Sequence, residues 1–297
     1  MGEKARQKRL ARERAEAIAY AQTVQGLAFE RERYAKAWSQ TDAASFARGG
    51  HYAWMASFVA GHARVLEVGT GSGSGTIELL RAGHVVVSID ENPECLAIAQ
   101  KRISEAGYAS IIERRETVRQ VDGGHEITYG PPRTSIPTLG ALLLEGDSLN
   151  DPLLCSWLQA QPQFDAVVCW LMGSHRARSF NAALGKWPAG EYRLHTQNRL
   201  YALSDSILRS GGILQIVDRA EMGASKEEEE LFSRDWRSSH EEQARAFSTL
   251  RVEPVPPARP YDLPAKSGVQ MGMTLPLSGR VPSNDRSGLV SVIARKP

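Results

Sequence analysis

Residues 65–76 read VLEVGTGSGSGT, an apolar run that meets an acid, Glu67, and then glycines at every second position from Gly69 to Gly75. Glycine lets a chain take positive φ and brings the backbone against a ligand without a Cβ in the way. The pattern reads as a strand ending in a tight turn that faces an anionic or nucleotide-like ligand. Further chemistry-bearing residues close three later apolar runs. Asp90 and Glu91 end HVVVSIDE, Asp147 and Ser148 end ALLLEGDS, and CWLMGSH (169–175) carries Cys169 and Trp170 out to His175. Carboxylates at strand ends can accept hydroxyl or amino groups. A histidine there could take up a proton near neutral pH.

The spacing rejects two common ligands. A dinucleotide loop needs G-x-G-x-x-G. Counted from Gly69 its third glycine falls on Ser74, and counted from Gly71 it falls on Thr76. A phosphate loop ending in Gly-Lys-Ser/Thr is also missing, since no lysine follows the glycines. The three cysteines, Cys95, Cys155 and Cys169, are far apart and odd in number. They form neither a disulfide framework nor a zinc spacing, and no metal site is expected.

The elements that position these residues alternate. Residues 3 to about 40 are rich in helix formers and predict one or two helices, followed by a short one over 51–60. Strands are expected at 64–70, 84–90, 141–147, 164–171, 212–219, 269–275 and 288–295. Helices are expected after the glycines, over 92–107, over about 193–210 and over 225–247. Residues 111–138 alternate around a Gly-rich turn and predict an inserted β-hairpin. Residues 252–264 predict a Pro-rich loop. Asp147 could alternatively cap a helix at 148–159. Together these make an α/β fold: a doubly wound, mostly parallel seven-stranded sheet with helices on both faces and an N-terminal helical extension. Residues 1–50 are read as that extension or a lid, and 51–297 as one Rossmann-like domain. In such sheets ligands sit beyond the carboxyl ends of the strands.

In this order the motifs resemble class I S-adenosylmethionine-dependent methyltransferases: E-V-G-T-G-S-G, then SIDEN, LEGDSL, FDAVVCWLMGSH and LRSGGILQIVD, over about residues 52–219. The resemblance implies S-adenosylmethionine as cofactor and methyl transfer as activity. The contacts it implies are Glu67, the loop Gly69, Thr70, Gly71, Ser72 and Gly73, then Asp90 and Glu91 at the ribose, Asp147 and Ser148 at the adenine, and Cys169 and Trp170. Cys169, preceded by Val168, also reads as a core residue. His175 stands where many small-molecule enzymes of this class carry a histidine, and is the candidate general base. Tyr52 and Trp54 are candidates to cover the sulfonium, and Tyr192, Arg193 and His195 to wall the acceptor. The resemblance carries no Asn/Asp/Ser-Pro-Pro-aromatic motif and no Pro-Cys nucleophile, which departs from nucleic-acid base methylation.

Thirty-six Lys and Arg against 34 Asp and Glu leave too little net charge to argue for nucleic acid or membrane. The excess is local: residues 1–14 hold six basic residues against two acids. No apolar run is long enough for a membrane span. The expectation is a cytoplasmic enzyme that methylates an O or N atom, first of all in a small molecule. A protein or RNA acceptor, a non-catalytic S-adenosylmethionine-binding module, an aminopropyltransferase and a nicotinamide oxidoreductase are the alternatives.

Overall fold

The computed structural model describes residues 3–184, 187, 189–262 and 287–297. Two helices open the chain, α1 (Glu3–Ala21) and α2 (Val24–Asp42). Thr23 caps α2 by accepting the Gly26 N–H at 2.9 Å. A π-helical turn (Ala43–Ala47) leads to α3 (His51–Ser57). Then follow β1 (Arg64–Val68), α4 (Ser74–Arg81), β2 (Val85–Asp90) and α5 (Pro93–Glu105). Pro93 at the first position and Asn92 as cap start α5 where the sequence places it. The chain continues through β3 (Ser110–Glu113), β4 (Glu116–Val121), β5 (Gly124–Tyr129) and β6 (Ala141–Glu145), then α6 (Pro152–Ala160) and β7 (Phe164–Trp170). A 3-10 turn (Arg176–Phe180) precedes α7 (Ala189–Ile207), β8 (Leu208–Glu221) and α8 (Lys226–Phe247). Short strands β9 (Arg251–Val252) and β10 (Arg259–Pro260) precede the final β11 (Ser287–Arg295).

One sheet runs β10-β11-β8-β7-β1-β2-β6-β3, with β9 on β11. The strands from β8 to β3 are parallel, and β11 is antiparallel to β8 over nine residues. Helices cover both faces over two apolar cores. One gathers Leu66, Phe164, Tyr201 and Phe232, and the other Phe46, Met55, Val65, Leu96 and Val168.

Among the described residues the main sheet has nine strands, where the sequence predicts seven. Ser110–Glu113 leaves the expected hairpin and extends the sheet beside β6, because Ile111 and Ile112 find a parallel ladder there. The hairpin itself is β4-β5, turning at Asp122-Gly123. Val252, Arg259 and Pro260 of the Pro-rich segment pair at the β11 edge rather than remaining loop. β8 begins at Leu208, before the glycines expected to start it. Gly211, at φ 75°, sits in an irregularity where the register to β7 shifts between Phe164 and Ala166. The expected strand at 269–275 lies outside the described residues. α6 starts at Pro152 under an Asp151 cap, so Asp147 caps no helix. Tyr34, Trp38, Phe46 and Ala47 pack into the same core as α3 and β1, and Leu27 packs with Ile127 and Tyr129 of β5, whereas residues 6–20 of α1 are exposed. Among the described residues no helix is long and apolar enough to cross a membrane, and no cluster of metal-ligating side chains occurs.

Candidate functional site

The glycine loop leaves β1 through Gly69, Gly71 and Gly73, all at positive φ (96°, 53° and 83°). Four of its amides are satisfied within the protein. The Gly69 and Thr70 N–H groups donate to the Ile89 carbonyl (2.8 and 3.2 Å), and the Gly73 N–H donates to Thr70 O (3.0 Å). The Gly71 N–H donates to Asp90 Oδ2 at 2.9 Å, while Asp90 Oδ1 accepts from Asn92 N at 2.9 Å. The end of β2 therefore fixes the loop at the end of β1. Below the loop, Glu67 Oε2 accepts from Thr76 and Ser88 hydroxyls at 2.5 and 2.6 Å. Its other oxygen faces Gly75, where a Cβ would come within 2.5 Å.

Burial pushes the Glu67 carboxyl up to about 7 against the pull of the Ser88 and Thr76 hydroxyls. Burial, then the neighbouring Glu91 charge, pushes Asp90 up to about 7 as well, against the Asn92 and Gly71 amides. Glu91 behaves oppositely. Burial alone would raise it, but His175, Arg31 and Arg178 hold its carboxyl well below the usual range.

The loop, the strand-end acids and α2 enclose a cleft. Arg31, Tyr34, Trp38 and Asp42 recur at three- and four-residue spacing, so they share one face of α2. Arg31, buried, donates to the Glu91 carbonyl (2.7 Å) and pairs with Glu91 (3.1 Å) and Glu116 (2.9 Å). Tyr34 lies over Gly173 and Trp38 over Gly71. Asp42 accepts from the Ser72 and Ser74 hydroxyls and pairs with Arg102 at 3.1 Å. The helix thus lies across the mouth of the cleft, latched at both ends, and leaves a cavity of about 70 Å³.

Nine of the residues predicted from sequence line this cleft: Glu67, Gly69, Thr70, Gly71, Asp90, Glu91, Asp147, Ser148 and Trp170. Four predicted residues are placed elsewhere. Ser72 turns to Asp42, and Gly73 packs on α5, where a Cβ would come within 2.8 Å of the Ala99 Cα. Cys169 alternates away from Val168 and Trp170 into the other core, where burial raises its thiol. His175 is 3 % exposed, off the cleft wall, with Nε2 3.0 Å from Glu91 Oε1. The candidate general base thus stands behind the cleft wall, engaged with Glu91.

Tyr52 lines the cleft, with its ring 6.4 Å from Trp170, but Trp54 lies outside it under Arg259. Tyr192 lines it too. Arg193 instead stands 3.8 Å from Asp218, and His195 is exposed and stacked on Trp187. The sequence reading missed Tyr34, Trp38 and Arg178. The first two were legible as a helical stripe in ERERYAKAWSQTD. Arg178 carries no local signal. It pairs with Asp147, sits 3.4 Å from Glu91 and lies 4.3 Å from the Tyr192 ring centroid.

The sheet order with one antiparallel strand beside β8, the G-x-G-x-G turn after β1 and the acids closing β1, β2 and β6 give the chain a class I methyltransferase-like fold. Residues 5–127 match the family model of protein-L-isoaspartate (D-aspartate) O-methyltransferases. No curated protein matches the chain. Solved structures similar to it include a putative methyltransferase from Bacillus halodurans, with 14% identity over 82% of this chain and 98% of that one at a TM-score of 0.44. A TehB-like SAM-dependent methyltransferase from Corynebacterium glutamicum shares 16% identity over 90% and 98% of the two chains (TM-score 0.43). An O-methyltransferase from Bacillus cereus in complex with SAH shares 13% over 83% and 80% (TM-score 0.39).

Proposed function

We propose that the cleft holds S-adenosylmethionine along the ends of β1, β2 and β6, and that its methyl passes to an O or N atom of a small molecule. The residues present fit the cofactor. Gly69 and Gly71 leave a cradle that a Cβ would fill, against Met172 and Trp38 respectively. Asp90 keeps lone pairs free for ribose hydroxyls, and Asp147 and Ser148 stand two strands away for the adenine. Glu67 is a buried carboxyl beneath the amino-acid end. Trp170 and Tyr52 present aromatic rings for the sulfonium, worth about 0.5–2 kcal/mol.

The cofactor supplies an already activated methyl. The protein aligns the acceptor in line with it and keeps water out. The acceptor would sit over the exits of β1 and β7, between Tyr34, Tyr192 and Met172.

The observation that carries the small-molecule reading is α2 itself. Its stripe roofs the cleft and leaves about 70 Å³, less than the ~300–1,000 Å³ usual for small-molecule sites. Ligand entry therefore moves α2 side chains, and a bulky folded acceptor meets this helix before it meets the cleft. The match of residues 5–127 to the isoaspartate O-methyltransferase model supports a second reading, a carboxylate on a peptide or protein. Such an acceptor needs no base, which agrees with His175 standing off the cleft.

Methyl-tritiated S-adenosylmethionine tests both. Label in a low-molecular-weight extract is the expected result. Label in an isoaspartyl peptide, released as methanol on base treatment, would replace it with the second reading. Cofactor binding with no transfer to extract, peptide, protein or RNA would leave a binding module.

A further inference from the structure

We propose that Trp38 of α2, with Tyr34 one turn before it, is a cofactor-binding residue whose indole N–H receives the carboxylate of the cofactor's amino-acid end. The inference rests on the reading of the cleft as the S-adenosylmethionine site.

An amino-acid end brings a carboxylate as well as an ammonium, and a carboxylate taken out of water needs donors. Four amides of the glycine loop are already engaged. The loop N–H groups of Gly69, Thr70, Gly71 and Gly73 donate to Ile89, Asp90 and Thr70. Among the described residues Arg178 alone brings a positive charge to the cleft wall, and it is held by Asp147 and Glu91. Those acids lie beyond β2 and β6, one and two strands from the glycine loop, so roughly 5–10 Å away.

Two side-chain donors of α2 face the cleft. Trp38 is 9 % exposed and lines the cleft, and among the described residues no hydrogen bond engages its indole nitrogen. That nitrogen is the indole atom nearest Gly71: a Cβ there would stand 2.7 Å from Nε1. The absence of a Cβ at residue 71 thus leaves the space in front of the N–H open. The ring is braced by Phe46, at 5.8 Å between centroids. The helix below it is latched by Asp42 to Ser72 and Ser74. Tyr34 lines the same wall, its hydroxyl over Gly173 and equally without a hydrogen bond among the described residues. Burial holds that phenol protonated, hence a donor. Both donors stand on the element that roofs the cleft, so cofactor capture and closure by α2 become one event.

Calorimetric titration of the full chain and its Trp38→Phe variant tests this with three ligands: S-adenosylmethionine, S-adenosylhomocysteine and 5′-methylthioadenosine, which lacks the amino-acid end. The variant should bind the first two about tenfold more weakly, the scale of a hydrogen bond to a charged group, and the third unchanged. Equal weakening for all three would make Trp38 a packing residue, and no weakening would remove it from the site. Both outcomes overturn the proposal while leaving the cofactor site standing. Wild-type protein that binds none of the three overturns the cofactor reading and this proposal with it. Indole N–H resonances of ¹⁵N-labelled protein give an independent readout. One of the six should move downfield with S-adenosylhomocysteine, stay put with methylthioadenosine, and be absent from Trp38→Phe. A Trp38 resonance that moves alike for both ligands would overturn the assignment even if Trp38→Phe failed to fold.

Discussion

His175 Nε2 lies 3.0 Å from Glu91 Oε1, and the same carboxylate faces Arg31 and Arg178 at 3.1 and 3.4 Å. One acid at the end of β2 therefore ties together α2, the turn after β7 and, through Arg31, the hairpin residue Glu116. His175 reaches the cleft wall through Glu91. His175→Ala should lower thermal stability by about 1–3 kcal/mol through the buried carboxylate it leaves underpaired. The pH profile of kcat should keep its shape. A limb near neutral pH that disappears in the variant would restore the general-base role.

Asp90→Asn tests the ribose contact. The amide offers one oxygen to the two backbone N–H groups that Asp90 now accepts, and turns an NH2 toward the other. S-adenosylhomocysteine affinity should fall by about 1–3 kcal/mol, or roughly ten- to a hundredfold by calorimetry. Unaltered affinity would place the ribose elsewhere.

Cofactor binding should depend on pH near neutrality. Glu67 and Asp90, both raised to about 7, are partly protonated in the free protein. The cofactor's ammonium and sulfonium favour their ionised forms. Binding below pH 7 must then expel protons, so affinity should fall as pH drops from 8 to 6 and level off above about 8. Titration in buffers of different ionisation enthalpy would show protons released at pH 6.5 and fewer at pH 8. Affinity that is flat across this range would mean the two carboxyls do not face the cofactor's charge.

Trp170 depends on a residue far from the cleft in sequence. Its indole N–H donates to Gln215 Oε1 at 3.1 Å. Gln215, on the neighbouring β8, also donates to Met55 O at 3.3 Å and Ser291 Oγ at 3.0 Å. Gln215→Leu should cost about 1–3 kcal/mol of stability by stranding three buried polar groups. It should also raise the KM for S-adenosylmethionine as the ring loses its anchor. A stability loss with unchanged KM would confine Gln215 to the core.

The strand-end residues were legible from sequence because each sits where an apolar run stops. Glu67, Asp90 and Asp147 follow from that local signal, and the structure sets all three on one cleft. The reading failed where position depends on a partner. Cys169 and Trp170 are neighbours in sequence, but on β7 they point to opposite faces, so only one reaches the cleft. Ile111 and Ile112 look like hairpin residues until β6 offers them a ladder. The glycine run was read as one ligand-facing loop. In the fold, Gly69, Gly71 and Gly75 face the cleft, whereas Gly73 brings the start of α4 against Ala99 of α5.

The sequence by itself determined the order of strands and helices, the glycine turn and the acids beside it. Those depend on hydrophobic period and on residue types that a short stretch can express. The tertiary structure alone decided what covers the cleft. Arg31, Tyr34, Trp38 and Asp42 read as an ordinary stripe of a charged helix. Each acquires its role from a partner 30 to 139 residues away: Glu91, Gly173, Gly71 and Ser72. A helical stripe announces that a face is used. Only the packed chain decides what that face meets.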